Sequence, residues 1–129
     1  MKKYQLSIFL SMTFLIGCNT NGQSDDFTEF RQKFYADSIF QVNHIAFPFE
    51  GINSQEMEID DTIYIWQRKE DWKYLTDPNK DNDIITNIIT QNDTIVEELS
   101  HLDYGGYWHL VQFKKINNDW FLTRFEFVF

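Results

Sequence analysis

His109 is the residue of this 129-residue chain best suited by type and spacing to acid–base chemistry. On an alternating strand it shares a face with Tyr107, Val111 and Phe113, an apolar setting in which a neutral imidazole works as a base near physiological pH. The same setting suits a core histidine hydrogen-bonded to backbone, and spacing leaves both roles open. A general base also needs a group that orients it. Asp103 is the nearest acid in the sequence and Tyr107 the nearest phenol, so His109, Asp103 and Tyr107 are the catalytic candidates. His101, Asp103 and His109 include no His-x-His and no second tight pair of the sort that holds zinc, and no metal centre is expected there. His44 reads as a packing or solvated residue. No serine stands in a Gly-x-Ser-x-Gly setting, so no Ser-His-Asp triad is expected, and neither is a cofactor.

A second cluster, Asp77, Asn79, Asp81 and Asp83, sets oxygen ligands at alternate positions, the spacing by which a loop wraps a hard cation. The sixth loop position is Asn82 rather than Gly and the twelfth is Ile88 rather than Glu. The sharp turn and the bidentate ligand of a calcium loop are therefore both missing. A solvated turn is the expectation, with a weak calcium site as the alternative.

These groups need elements to position them. Phe27, Phe30 and Phe34 fall at i, i+3 and i+7, which predicts an amphipathic helix with an aromatic face, and Asp26 with Glu29 predicts a capping box at its start. Asp37 predicts a capped second turn through Ser38–Gln41. Ile45, Phe47 and Phe49 then alternate with Ala46, Pro48 and Glu50, an edge or bulged strand ended by Gly51. Gln55 to Arg68 reads as one or two strands, with Met57 and Ile59 alternating before Asp60-Asp61, and a helical turn is expected over Glu70–Leu75. From Ile84 onward isoleucine pairs predict two strands around a turn at Asn92-Asp93. Tyr107–Lys115 and Trp120–Phe129 flank Ile116–Asp119, a β-hairpin. Its last strand is expected to place Phe121, Phe125, Phe127 and Phe129 on one face and Trp120, Arg124 and Glu126 on the other. The aromatic helix is the cover for the apolar face, giving an α+β layer of N-terminal helices on a curved antiparallel sheet.

Composition narrows the function classes. Aromatics make up 18% of the chain, including 13 Phe and 4 Trp, enough for a dense core and too many for a disordered protein. Eleven basic against 20 acidic residues give a net charge of −9, which disfavours nucleic acid as a partner, since phosphate neutralisation needs clustered Lys and Arg. The start of the chain has its own pattern. Lys2 and Lys3 precede an apolar run from Leu6 to Ile16, too short for a stable bilayer span, which reads as an export signal over residues 1–17. Leu15-Ile16-Gly17-Cys18 resembles the lipobox of bacterial lipoproteins, which implies acylation of Cys18 after cleavage. Cys18 is the only cysteine, so no internal disulfide competes for it, and two or three acyl chains would hold the protein to a membrane without a spanning helix. Residues 18–25 read as a polar tether and 26–129 as one domain. Asp does not follow Cys18, which by the sorting of such lipoproteins implies the outer membrane; periplasmic and surface orientation both stay open.

The order of helix, sheet and final hairpin, with Tyr107-Trp108-His109-Leu110-Val111-Gln112-Phe113 and Trp120-Phe121-Leu122, resembles the cystatin-like fold of nuclear transport factor two-like domains, a cone-shaped α+β. Phe27, Phe30 and Phe34, then Asp37-Ser38-x-Phe40-Gln41, then Ile45-x-Phe47-Pro48, resemble the uncharacterised bacterial lipoprotein family called domain of unknown function 4348. That likeness implies the fold and an exported location, and fold does not imply function. Asp37-Ser38-Ile39, Asp61-Thr62-Ile63 and Asp93-Thr94-Ile95 resemble an O-glycosylation acceptor of exported proteins. Two functional readings follow. The first is a binding or interaction module whose pocket, lined by Phe34, Phe40, His109, Phe113 and Phe125, holds a small apolar ligand, or whose surface docks an envelope protein. The second is an enzyme of the same fold with His109 as base. A homodimer through the open sheet face would expose Trp108, Trp120 and Leu122 to its partner.

Overall fold

The computed structural model describes residues 24–55 and 63–129. The export signal, Cys18, the tether up to Gln23, the strand expected around Met57 and Ile59 and the Asp61-Thr62 pair lie outside the described residues. Helix α1 (Asp25–Ala36) buries Phe27, Phe30 and Phe34, as their spacing predicts, and also turns Arg31 and Tyr35 inward. The expected capping box does not form. The helix starts two residues earlier, with Ser24 as N-cap and no side-chain cap bond. Asp26 is committed elsewhere: it pairs with Lys115 and accepts the indole N–H of Trp120 at 3.2 Å. The Lys115 ammonium holds its carboxyl well below the usual carboxylate range. Helix α2 (Ser38–Asn43) follows at once, with the Asp37 carboxylate accepting the backbone N–H groups of Ile39 and Phe40 at 2.9 and 3.0 Å.

Among the described residues six strands form one sheet in the order β2-β1-β6-β5-β4-β3: β1 (Phe49–Asn53), β2 (Tyr64–Trp66), β3 (Ile84–Asn92), β4 (Ile95–Leu102), β5 (Trp108–Ile116) and β6 (Asp119–Val128). The sheet is not wholly antiparallel, as expected from the sequence, because β1 pairs parallel to β6. The chain joins β6 early: Ala46 N–H donates to the Leu122 carbonyl and Leu122 N–H to the His44 carbonyl, both at 2.9 Å. It then leaves around Pro48, which has no N–H to give, and rejoins with Gly51 opposite Phe125. Gly51 therefore sits inside β1 rather than ending it. A Cβ at this position would lie 1.8 Å from the Phe125 carbonyl oxygen, so the parallel ladder requires glycine here. The turn expected over Glu70–Leu75 is a 3-10 turn at Lys69–Asp71 followed by extended chain.

The final hairpin turns on Asn117 and Asn118, with φ of 51° and 68°, the left-handed pair that a two-residue type I′ turn needs. Within it the alternation breaks. Phe113 faces Leu122 and Gln112 faces Arg124, so Thr123 is an extra residue, a β-bulge. The bulge brings Trp120 and Leu122 to the same inner face as Phe125 and Phe127. The expected grouping of Phe121 with Phe125 is thereby corrected, and Trp120 and Leu122, expected to be exposed on the open sheet face, are 3% and 0% exposed. Of that trio only Trp108 lies on the outer face, half-buried.

The inner face carries two aromatic clusters. Under α1, Phe27 meets Phe113 and Trp120 at ring separations of 5.5 and 4.9 Å, and Phe34 meets Phe113 at 5.1 Å. Beyond the bulge, Trp66 stacks on Phe49 at 5.1 Å and meets Phe125 edge-on at 5.5 Å. The helices are too short to cover this second cluster, and the extended chain of residues 72–77 crosses it instead.

Candidate functional site

Between the crossing segment and the far half of the sheet lies a cavity of about 280 Å³. Tyr64 and Trp66 from β2, Trp72 and Leu75 from the segment, and Phe125 and Phe127 from β6 form its walls, and His109 and Tyr107 contribute polar atoms. Its exposed polar residues, Gln55, Asp71, Lys73 and Thr76, mark the mouth, whereas His109 is 7% exposed and marks the floor.

The segment owes its position to three inward polar residues of the helices. Gln41 is wholly buried. Its Nε2 donates to the carbonyls of Phe34 and Leu75 at 3.0 and 2.9 Å, and its Oε1 accepts Leu75 N–H at 2.8 Å and the Trp72 indole N–H at 3.1 Å. One amide thus replaces the strand partners that the segment lacks. The Tyr74 hydroxyl donates to the Tyr35 carbonyl. Arg31 donates to Asp77 Oδ1 at 3.1 Å while its Nε donates to Glu98 Oε1 at 2.7 Å. Glu98 also accepts the Tyr35 hydroxyl at 3.0 Å. Burial pushes the Glu98 carboxyl up, against the pull of the Arg31 guanidinium, and burial raises the Tyr35 hydroxyl well above its ordinary value. Gln41 stands in the sequence as the last residue of the Asp37-Ser38-x-Phe40-Gln41 motif with no role expected of it, and Arg31 and Glu98 carry no expectation, although a signal for these two is present. Arg31 stands one residue after Phe30, on the aromatic face of the helix, and Glu98 alternates with Val96 and Ser100 on the inner face of β4. A charge buried on α1 and an opposite charge buried on β4 each need a partner, which they find in one another.

His109 and Tyr107, two apart on the chain, are joined by a hydrogen bond between the Tyr107 hydroxyl and Nδ1 of His109. Tyr107 belongs to the turn just before β5, and its ring meets His109 edge-on at 5.6 Å and Phe127 at 5.5 Å. Burial pushes the His109 imidazole down to about 4 and raises the Tyr107 phenol. The pair is therefore neutral at physiological pH. Asp103 lies in the exposed turn after β4 and does not line the cavity. Of the other residues expected to line a pocket, Phe125 does so, Phe34 and Phe113 are wholly buried in the core under α1, and Phe40 packs against His44 at 3.8 Å. Their spacing placed them on inner faces; the division of that face at the bulge separates them from the cavity. His44 Nδ1–H donates to the Phe40 carbonyl at 2.7 Å.

The acidic loop does not converge. Asp77 faces Arg31 and accepts Asn79 N–H, and Asp81 accepts Asp83 N–H at 3.0 Å around a 3-10 turn at Pro78–Lys80. Among the described residues no group of three or more His, Cys, Asp or Glu is placed to hold a metal ion. Ser38 opens α2 and Thr94 lies in the exposed β3–β4 turn. No described helix is long and apolar enough to cross a membrane.

The arrangement is similar to a solved structure, an NTF2-like protein from Bacteroides fragilis NCTC 9343, with a TM-score of 0.53 and 20% sequence identity. The likeness covers 81% of this chain and 47% of that one, so this chain spans about half the length of its structural neighbour. It shows an NTF2-like α+β fold, here with two α-helices among the described residues and an open six-stranded sheet. No family model matches the chain, and no curated protein matches it.

Proposed function

We propose that this protein is an exported, lipid-anchored cell-envelope module that binds a small, largely apolar molecule in the cavity beneath residues 72–77. The observation that carries the binding reading is the cavity itself. Aromatic walls surround the buried His109 and its half-buried partner Tyr107, with the other polar lining residues nearer solvent, a composition found in small-molecule sites, and a dedicated set of buried hydrogen bonds from Gln41 holds the roof in place. An envelope protein docking on the surface is the alternative occupant of the binding role. The enzyme reading is weaker: His109 has Tyr107 rather than a carboxylate beside it, and burial depresses the imidazole too far for an efficient base at neutral pH. The anchor reading rests on Gly17-Cys18 after the apolar run, and belonging to the uncharacterised lipoprotein family is part of the same proposal.

Native mass spectrometry of the full-length chain from its own host tests the binding reading. The expected result is a mass excess over the acylated polypeptide that disappears on denaturation. A folded protein with no such excess would shift the reading to a protein-docking module. For the anchor, Cys18→Ala is expected to move the protein from the membrane to the soluble fraction and to abolish palmitate labelling; unchanged fractionation would reject it.

A further inference from the structure

The hydrogen-bonding capacity of the cavity floor limits which ligands it can accept, an inference that rests on the binding reading above. Nδ1 of His109 is used by Tyr107. Nε2 has no hydrogen-bond partner among the described residues, yet no buried side-chain nitrogen or oxygen there lacks one. Nε2 is thus unpaired without being sealed off, and since the residue is 7% exposed and lines the cavity, the space it reaches is the cavity. A neutral imidazole has one N–H and one acceptor nitrogen. If the tyrosine hydroxyl donates to Nδ1, Nε2 carries the proton and donates to the cavity while the phenol oxygen accepts. If Nδ1–H donates to the phenol oxygen, the hydroxyl donates to the cavity and Nε2 accepts. Both arrangements offer one donor and one acceptor. A carboxylate brings only acceptors and an ammonium only donors, so each leaves one of the two floor groups facing its own kind. A hydrocarbon leaves both unpaired, and an unpaired buried polar group is costly.

We propose that the cavity takes an uncharged aromatic ligand carrying a donor and an acceptor side by side, of the carboxamide or lactam class, held by Nε2 of His109 and the Tyr107 hydroxyl against the packed rings of Trp66, Trp72 and Phe125. The volume of about 280 Å³ is at the small end for ligand sites, roughly 300–1,000 Å³, and suits one or two fused rings. The mouth residues Lys73 and Asp71 carry opposite charges and favour neither ion as a pair.

The probes are 2-naphthamide, 2-naphthoate and naphthalene, titrated at pH 7.5 into the full-length chain in lipid nanodiscs, with calorimetry and the tryptophan indole N–H resonances as readouts. The expected result is 2-naphthamide binding at least tenfold more tightly than either analogue, with Tyr107→Phe reducing that preference to below threefold. Three probes of equal affinity would overturn the donor–acceptor inference while leaving the binding reading intact. Tightest binding of 2-naphthoate would overturn it in favour of selection by Lys73. No binding of any probe would overturn the binding reading and this inference together. His109→Phe is the second variant; the comparison among probes on the unaltered protein decides the matter even where that variant fails to fold.

Discussion

A neutral imidazole on the cavity floor makes the stability of this protein depend on pH in a definite direction. Above about 6.5, His109 is unprotonated in both the folded and the unfolded chain, and its contribution is constant. As pH falls below 6.5 the unfolded chain takes up a proton that the folded chain refuses until about 4, so stability is lost across that window and levels off below it. The depression is worth about 3 kcal/mol at its full extent. Urea unfolding at pH 7 and pH 4 is expected to show this loss in the unaltered protein and not in His109→Gln. The comparison between the two isolates His109 from Glu98, whose raised carboxyl works with the opposite sign in the same range. Equal pH slopes for both proteins would mean that His109 is solvated. At this scale the sequence was partly legible: strand alternation placed His109 and Tyr107 on one face, but the hydroxyl-to-ring contact depends on where the chain leaves the β4–β5 turn, which no spacing encodes. Arg31 and Glu98 are 67 positions apart, and only the docking of α1 on β4 brings them together.

Single elements owe their form to a few residues that interrupt the regular pattern. Helix α1 and the Asn117-Asn118 hairpin were legible because a 3.6-residue aromatic period and a two-residue turn each act locally. The β6 bulge was not, because strict alternation is the default and Thr123 carries no glycine or proline to mark it. The bulge decides which side of the sheet every later residue faces. Deleting Thr123 would send either Trp120 and Leu122 or Phe125 and Phe127 to the outer face, and the expected outcome is loss of the dispersed methyl and indole resonances of a folded core. A folded deletion variant would show that the register tolerates either phase. The roof segment was also illegible, because its partner is a side chain rather than a strand. Gln41→Ala leaves the Leu75 N–H and carbonyl, the Phe34 carbonyl and the Trp72 indole without their shared partner. Unsatisfied buried groups cost about 1–3 kcal/mol each, and some regain water. A destabilisation of about 3 kcal/mol is expected, with faster hydrogen exchange confined to residues 72–77. A loss spread evenly over the sheet would place Gln41 in the general core instead.

Across the whole molecule, the two aromatic clusters serve different ends: one is filled by α1, the other is left hollow under the roof. They are not separate units. Strand β6 puts Trp120 and Leu122 under the helix and Phe125 and Phe127 under the cavity, and β5 carries Phe113 at one end and His109 at the other. Arg31 ties α1 to both β4 and the segment at Asp77. Opening the cavity end therefore unpairs the strands on which the helix rests, and unfolding should be a single cooperative event. A ligand in the cavity then stabilises the helix end equally. At a free concentration of one hundred times its dissociation constant, a ligand adds about 2.7 kcal/mol, which for a domain of this size raises the midpoint by roughly 10 °C. Differential scanning calorimetry with 2-naphthamide at that excess is expected to show one peak displaced upward as a whole. Two peaks, with only one moving, would mean that the bulge at Thr123 divides the sheet energetically as well as geometrically. In that case the helix end is a rigid base that the ligand does not influence, and the linkage from Gln41 and Arg31 to the roof serves position alone.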